Sequence, residues 1–162
     1  MEYLLSLPFS MAPSQELSLF LSSFDELLPA SGSLQEPGLI EVSLHALGPR
    51  RESGDYSSPL SEHPLLLQPA KDDWFVNDDG ETVIESSHKL GGRPYFIQGE
   101  PDLENEVTKI LDSGYLQILQ LDFPGGGGDA LVSGDWPFAD GLFHLFGKPP
   151  FDRDHWRWFF EL

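Results

Sequence analysis

The densest group of titratable side chains in the sequence is Asp152-Arg153-Asp154-His155. Neighbouring carboxylate and imidazole groups are able to share a metal ion or a proton, so this group is a candidate metal site or general base. The adjoining sequence offers no obvious third and fourth ligand, and the five histidines are scattered along the chain. We therefore favour a surface turn that precedes a final strand.

A run of glycines from Gly125 to Gly128, followed by Asp129 and Ala130, is a second candidate. Its spacing matches the GxGxxA pattern of a dinucleotide-binding loop, and it follows a segment with the pattern of a strand. That chemistry needs a helix to begin at the loop so that the helix N-terminus faces the phosphates, and residues 132–137 are poor helix formers. A flexible loop is the better interpretation.

Calcium binding is the third chemistry to weigh, because acidic residues are paired at Asp72/Asp73 and at Asp78/Asp79. These pairs lack the ligand spacing of an EF-hand loop, and turn formation explains them. The sequence contains no GxSxG elbow, no HExxH helix and no cysteine, which excludes thiol nucleophiles, disulfides and zinc–thiolate sites. We therefore predict no metal, no cofactor and no catalytic residue, and we expect a protein that is not an enzyme.

The charge balance points to the kind of partner. The chain has 27 Asp and Glu against 9 Lys and Arg, a formal charge of −18, and residues 1–49 contain no Lys or Arg at all. Such a field disfavours nucleic acids and anionic membranes, whose phosphates require clustered basic residues. It attracts a basic protein through long-range electrostatics. The alternative is that the excess acid only maintains solubility.

The beginning of the sequence predicts a cytoplasmic protein. The segment from Met1 to Leu5 lacks the basic flank of a secretory signal, and Pro8 and Pro13 interrupt its apolar residues. No apolar run approaches the roughly 18 residues needed to cross a bilayer.

Hydrophobic spacing predicts two main helices. The second spans residues 101–113, with acidic residues in its first turn and Gly114 at its C-cap. The first follows Pro13 and ends at Pro29, with Ser14 as the N-cap. The apolar residues of this first helix recur at helical spacing: Leu17, Phe20, Leu21, Phe24, Leu27 and Leu28.

The remaining pattern predicts strands. Alternation of apolar and polar residues indicates a half-buried strand over 39–47. Two short apolar runs around Asn77-Asp78-Asp79-Gly80 predict a hairpin. Further strands are predicted over 115–122, 141–146 and 156–162. The fold class is therefore α+β, with antiparallel sheets and two main helices in a single domain, 1–162.

Three stretches in the second half carry a family resemblance: His88 to Gln98 (HKLGGRPYFIQ), Gln117 to Asp122 (QILQLD), and Gly134 to Phe146 with its GDW and DGLFHLF segments. Together they resemble the YwqG-like family of bacterial domains of unknown function. The resemblance covers residues 71–162 and implies an antiparallel α+β fold with no established catalytic residues. Residues 1–70, with one helix and one strand, match nothing in that family.

Domains resembling this family often accompany secreted bacterial toxins, so the resemblance and the charge together predict an acidic immunity protein that binds and neutralises a cognate toxin. Acidic groups and exposed aromatic side chains are the predicted contacts: Asp78, Asp79, Asp129, Asp135, Trp136, Phe138 and Asp140. The alternative is a small-ligand or metal-binding enzyme that uses the Gly-rich loop with Asp135, Asp140, His144 and the Asp152–His155 group.

Overall fold

The fold was described from a computed structural model of the chain. The described residues are 2–9, 11, 14–21, 40–48, 74–76, 78–80, 82–84, 88–96, 101–122 and 141–161. Within them lie nine strands and one α-helix. In chain order these are β1 (Glu2–Pro8), β2 (Gln15–Leu21), β3 (Ile40–Ala46), β4 (Trp74–Val76), β5 (Thr82–Ile84), β6 (Lys89–Leu90), α1 (Pro101–Asp112), β7 (Leu116–Leu121), β8 (Leu142–Gly147) and β9 (Trp156–Glu161).

The strands form three antiparallel sheets. The first has the order β1-β2-β3, the second is the hairpin β4-β5, and the third has the order β6-β7-β8-β9. The antiparallel α+β architecture expected from the sequence is therefore confirmed. The strands expected near 39–47, 115–122, 141–146 and 156–162 are confirmed as well, and so is the hairpin, whose Gly80 has a φ of 80°.

The first predicted helix is wrong where the structure describes it. Gln15–Leu21 form β2, the central strand of the first sheet, which pairs with β1 and β3. Leu17, Leu19 and Leu21 alternate along this strand and are all buried. Burying each leucine contributes roughly 2 kcal/mol. The segment therefore follows the strand period of two and pairs with a strand on each side, in place of the helix that its apolar spacing predicted. The rest of the predicted helix, 22–28, lies outside the described residues.

The predicted helix at 101–113 is confirmed as α1, the single α-helix of the described residues. It ends in a Schellman motif: Gly114 N donates to Leu111 O at 2.9 Å, and Tyr115 N donates to Ile110 O at 3.4 Å. Gly114 has a φ of 88°, a left-handed conformation that favours glycine. The chain therefore turns sharply from α1 into β7.

The four-stranded sheet is covered on both faces. One face packs against the first sheet and forms the larger core, which contains Leu19, Leu145 and Trp158. The opposite face carries Phe146 and Phe159, which pack with Val107 of α1. The layer order is therefore the first sheet, the four-stranded sheet and the helix, and the middle layer is buried on both sides.

Candidate functional site

A row of polar side chains crosses the helix-facing side of the four-stranded sheet. Lys89 of β6 pairs with Gln120 of β7, Gln120 pairs with His144 of β8, and His144 pairs with Phe159 of β9. Directly paired residues of an antiparallel sheet share a face. Phe159 belongs to the cluster that packs on α1, so the whole row lies on that face.

A β-bulge in β7 adds a second glutamine to this row. The register shifts between Gln117 and Leu119, so Ile118 is an extra residue in the strand. Residues three apart in a regular strand point to opposite faces, but the bulge places Gln117 and Gln120 together, with Gln117 Nε2 donating to Gln120 Oε1 at 3.3 Å. We call Lys89, Gln117, Gln120 and His144 the polar row.

Gln120 connects the polar row to the segment that follows β6. Its Oε1 accepts a hydrogen bond from the backbone N–H of Tyr95 at 3.0 Å as well as the one from Gln117. The Gly91 N–H donates to Ile118 O at 3.0 Å, and Gly91 and Gly92 both have positive φ. The two glycines therefore allow the turn after β6 that brings Tyr95 back to β7 and Phe96 against His144 of β8.

His144 is fully buried among aromatic rings. Its ring centroid lies 4.6 Å from Phe159, 5.8 Å from Phe96 and 6.4 Å from Phe146, with interplanar angles of 24° or less. Neither ring nitrogen makes a hydrogen bond to the described residues. Burial, assisted by the positive charge of Lys89, lowers the pKa of His144 to about 3. The ring is therefore neutral at physiological pH.

Two opposite charges accompany the neutral groups. Glu161 is buried and lies two residues beyond Phe159 on β9, which places it on the same face as the polar row. Lys89 occupies the opposite end of the row. The formal charges of the lysine and the glutamate sum to zero, so the site presents neutral hydrogen-bonding groups between two ends of opposite charge.

The described parts of the three stretches that carry the predicted family resemblance lie at this site, because they include all or most of β6, β7 and β8, which are neighbours in one sheet. His88 Nδ1 accepts a hydrogen bond from the Asp122 N–H at 3.1 Å, which ties the first stretch to the second. Burial lowers the pKa of His88, while the nearby Asp122 carboxylate raises it. The hydrogen bond between His88 and Asp122 therefore stabilises the sheet next to the polar row.

A second polar group lies on the outer face of the first sheet. Ser6 Oγ and Ser18 Oγ are 2.6 Å apart, and Ser18 Oγ lies 2.8 Å from His45 Nε2. His45 Nδ1 lies 3.2 Å from the carbonyl oxygen of Ala46, which can only accept, so Nδ1 carries the proton and Nε2 accepts from Ser18. Ser18 itself is buried, and the chain of hydrogen bonds links all three strands.

The Asp152–His155 group forms a turn at the start of β9. The Asp152 carboxylate accepts from the Asp154 N–H at 3.1 Å and contacts His155 Nδ1, which caps the short 3₁₀ helix Arg153–His155. The hydrogen bond from His155 lowers the pKa of Asp152. The segment therefore forms the surface turn before the final strand that the sequence predicted.

The structure does not bring the two histidines of the enzyme alternative together. His144 is paired with Phe159, which lies four residues beyond His155, so the separation along the sheet is about 13 Å. No group of three possible metal ligands occurs among the described residues. The Gly-rich loop of that alternative, with Asp135 and Asp140, lies outside them.

Two of the seven predicted partner contacts lie among the described residues. Asp78 and Asp79 lie in the exposed turn between β4 and β5. The other five predicted contacts lie outside the described residues: Asp129, Asp135, Trp136, Phe138 and Asp140.

Basic side chains gather on the helix side. Lys148 Nζ and Arg157 Cζ lie 5.7 and 5.4 Å from the centroid of the Tyr115 ring, close enough for cation–π attraction. Lys148 Nζ also donates to Ser113 O at 2.6 Å, at the C-terminal end of α1. Lys109, in the last turn of the same helix, adds a third positive charge.

Comparisons with protein-family models, with curated proteins and with solved structures found no match. The resemblance to the YwqG-like family therefore stays a prediction. No helix among the described residues combines the length and apolar character needed to cross a membrane.

Sequence reasoning missed the polar row, although one signal for it is present. Gln117, Gln120 and His144 interrupt otherwise apolar strands, and polar residues at buried positions are uncommon. Gln117 and Gln120 are three residues apart, so without the bulge one of them would be assigned to the opposite face. Only the cross-strand register shows that they belong together.

Proposed function

We propose that the chain is an acidic, non-enzymatic binding domain for a basic protein, and specifically an immunity protein that occludes a cognate bacterial toxin. The observation that carries the proposal is the lack of basic side chains in the first sheet, whereas the helix side carries both signs of charge. The first sheet comes from residues 1–49, which hold no Lys or Arg, while Lys109, Lys148 and Arg157 lie on the helix side.

The outer face of the first sheet suits such a partner. Leu17, Leu19 and Leu21 point into the core, so Glu16 and Phe20 point away from it. Glu41 pairs directly with Phe20 and shares that face. All three outward side chains are partly exposed.

Such a surface combines an aromatic anchor with carboxylates, which is the chemistry expected of an interface for a basic protein. A few buried anchor residues, often aromatic, dominate the binding energy at protein interfaces. Carboxylates around them accelerate association with a positive partner and select against negative ones. The exposed turn with Asp78 and Asp79 adds two further carboxylates to the negative field of the chain.

The proposal is tested by reversing two charges on the outer face of the first sheet and, in a control variant, two charges on α1. The double variant Glu16→Lys/Glu41→Lys alters the first sheet, and Glu106→Lys/Asp112→Lys alters exposed positions of α1 by the same total charge. Association with the product of an adjacent toxin-like gene is measured by stopped flow at low and high salt. We expect the sheet variant to slow association about tenfold at low salt and the helix variant to have much less effect.

Equal effects of the two double variants would show that only net charge matters and would remove the outer face as the binding surface. The immunity role has its own test, which is co-expression of the chain with the same toxin-like protein in a heterologous bacterium. Restored growth with the wild type and reduced rescue with the sheet variant are expected. Rescue that is absent with the wild-type chain would overturn the immunity assignment.

A further inference from the structure

We infer that the polar row beneath α1 is a binding site for a small, uncharged, planar molecule that carries a hydrogen-bond donor next to an acceptor, as a carboxamide or a nucleobase does. The inference does not depend on the proposed partner surface, which lies on the other side of the four-stranded sheet.

Two buried residues of the polar row have unused hydrogen-bonding capacity. His144 is fully buried, and neither of its ring nitrogens has a hydrogen-bond partner among the described residues. Gln117 Oε1 is likewise buried without a hydrogen-bond partner among the described residues, although Gln117 Nε2 donates to Gln120 Oε1. Buried polar atoms are nearly always paired, so these three atoms mark a place where a polar group binds.

The three unpartnered atoms combine hydrogen-bond donors and acceptors. A neutral imidazole offers one N–H donor and one nitrogen acceptor, and Gln117 Oε1 adds an acceptor. An amide-like edge, with N–H beside C=O, complements this set. The formal charges of Lys89 and Glu161 on the same face cancel, and the three unpartnered atoms belong to neutral groups, so the site has no net charge for an ionic ligand to neutralise.

The aromatic rings around His144 lie nearly parallel to one another. The rings of Phe96 and Phe159 are 7° from parallel with centroids 6.5 Å apart, and His144 is within 24° of both planes. Phe146 is within 14° of Phe159. Parallel aromatic faces favour a flat ligand that stacks over an aliphatic one.

The backbone of β7 contains a β-bulge that changes the direction of one of these side chains. Inserting Ile118 directs Gln117 towards the helix-facing side instead of the core between the sheets. Bulges recur next to functional sites, where they re-aim a side chain.

Access requires α1 to act as a cover. The described contacts of the helix with the aromatic rings come from buried Val107 and partly buried Ile110 and Leu111. Its C-terminal end is held by the hydrogen bond from Lys148 to Ser113 O and by the two cations at Tyr115. Local opening of one packed element needs less free energy than global unfolding.

The binding test uses three probes: benzamide, uracil and toluene. Ligand-observed NMR on the full chain is compared with His144→Leu and Gln117→Leu, each checked for native circular dichroism. We expect benzamide, uracil or both to bind, toluene to bind more weakly, and each substitution to weaken binding about tenfold, as loss of one hydrogen bond does.

Each pattern of results decides the point. Benzamide alone assigns the site to carboxamides, uracil alone assigns it to nucleobases, and both together support the shared chemistry. If neither probe binds, if toluene binds equally well, or if binding survives both substitutions, the site is not a polar ligand site and the inference is overturned.

The cover is tested with diethyl pyrocarbonate, which modifies neutral histidine that becomes accessible. Modification of His144 is followed by mass spectrometry in the wild type, in Lys148→Met and in Lys109→Met. The last variant is the control, because the Lys109 side chain is exposed on α1. We expect Lys148→Met to accelerate modification about tenfold, with little dependence on low concentrations of urea. A rate that follows global unfolding in urea, or equal rates in the two variants, would show that α1 does not open locally.

Discussion

The imidazole ring of His144 stacks on the phenyl ring of Phe159, with 4.6 Å between ring centroids and 17° between ring planes. The two residues are direct partners on β8 and β9, so the stack is fixed by the register of the sheet. A base held in this way is surrounded by apolar rings instead of water, and its protonation is opposed by the folded state.

The first prediction concerns acid stability. Because burial lowers the pKa of His144 to about 3, the unfolded chain gains a proton on this residue below about pH 6.5, whereas the folded chain does not until about pH 3. The free energy of unfolding should therefore fall as pH is lowered through this window, by roughly 1 kcal/mol per pH unit from this residue. Urea unfolding at pH 7, 6, 5 and 4 measures the slope.

Replacement of His144 by leucine should remove that contribution to the slope while leaving a folded protein at pH 7. His88, whose pKa is also lowered mainly by burial, adds to the trend in the same direction, so His88→Asn should remove a further part. An unchanged slope in the His144→Leu variant would contradict the prediction.

The second prediction separates the two glutamines of the polar row. Gln120→Leu leaves the Tyr95 N–H without the side-chain oxygen that accepts from it, and we expect a loss of about 2 kcal/mol in the free energy of unfolding. Gln117→Leu removes one weak hydrogen bond together with an unpaired buried oxygen, so its effect should be within about 1 kcal/mol of zero. Urea denaturation of the two variants side by side tests this, and equal losses would count against it.

The third prediction concerns the close approach of β8 and β9 at Gly147. A Cβ at this position would lie 2.6 Å from Trp156 Cζ3 and 3.1 Å from Ile118 Cγ1. The ring of Trp156 is packed in the larger core, so Gly147→Ala should cost about 2 kcal/mol or more. Gly48→Ala is the matched control, since among the described residues its Cβ would meet only Ala46 O, at 4.0 Å. Thermal unfolding in which the two variants have the same midpoint would refute the contact.

The fourth prediction concerns the turn at the start of β9. The hydrogen bond from His155 is the largest cause of the lowered pKa of Asp152. In His155→Gln the carboxyl pKa of Asp152 should rise towards its ordinary value, as measured by carbon-detected NMR titration of the side-chain carboxyl. His45→Gln, which alters a histidine on the outer face of the first sheet, is the control and should leave the Asp152 titration unchanged.

The two glutamines and the buried histidine show what a local pattern leaves out. A strand pattern assigns faces by period two, and the bulge at Ile118 breaks that period without any glycine or proline to signal it. The burial of β8 on both faces is likewise not evident from its sequence, because a mostly apolar hexamer is also compatible with a single buried face.

The sequence by itself determined the net charge, the absence of thiol chemistry, the helix α1 with its glycine C-cap, and the strands whose apolar residues alternate or run together. Those features depend on side-chain types and on contacts within a few residues. The tertiary structure decided that Gln15–Leu21 is a strand and that Lys89, Gln120 and His144 form one row. Leu17 and Leu21 satisfy helical and strand spacing equally, and only the pairing of this segment with β1 on one side and β3 on the other distinguishes the two.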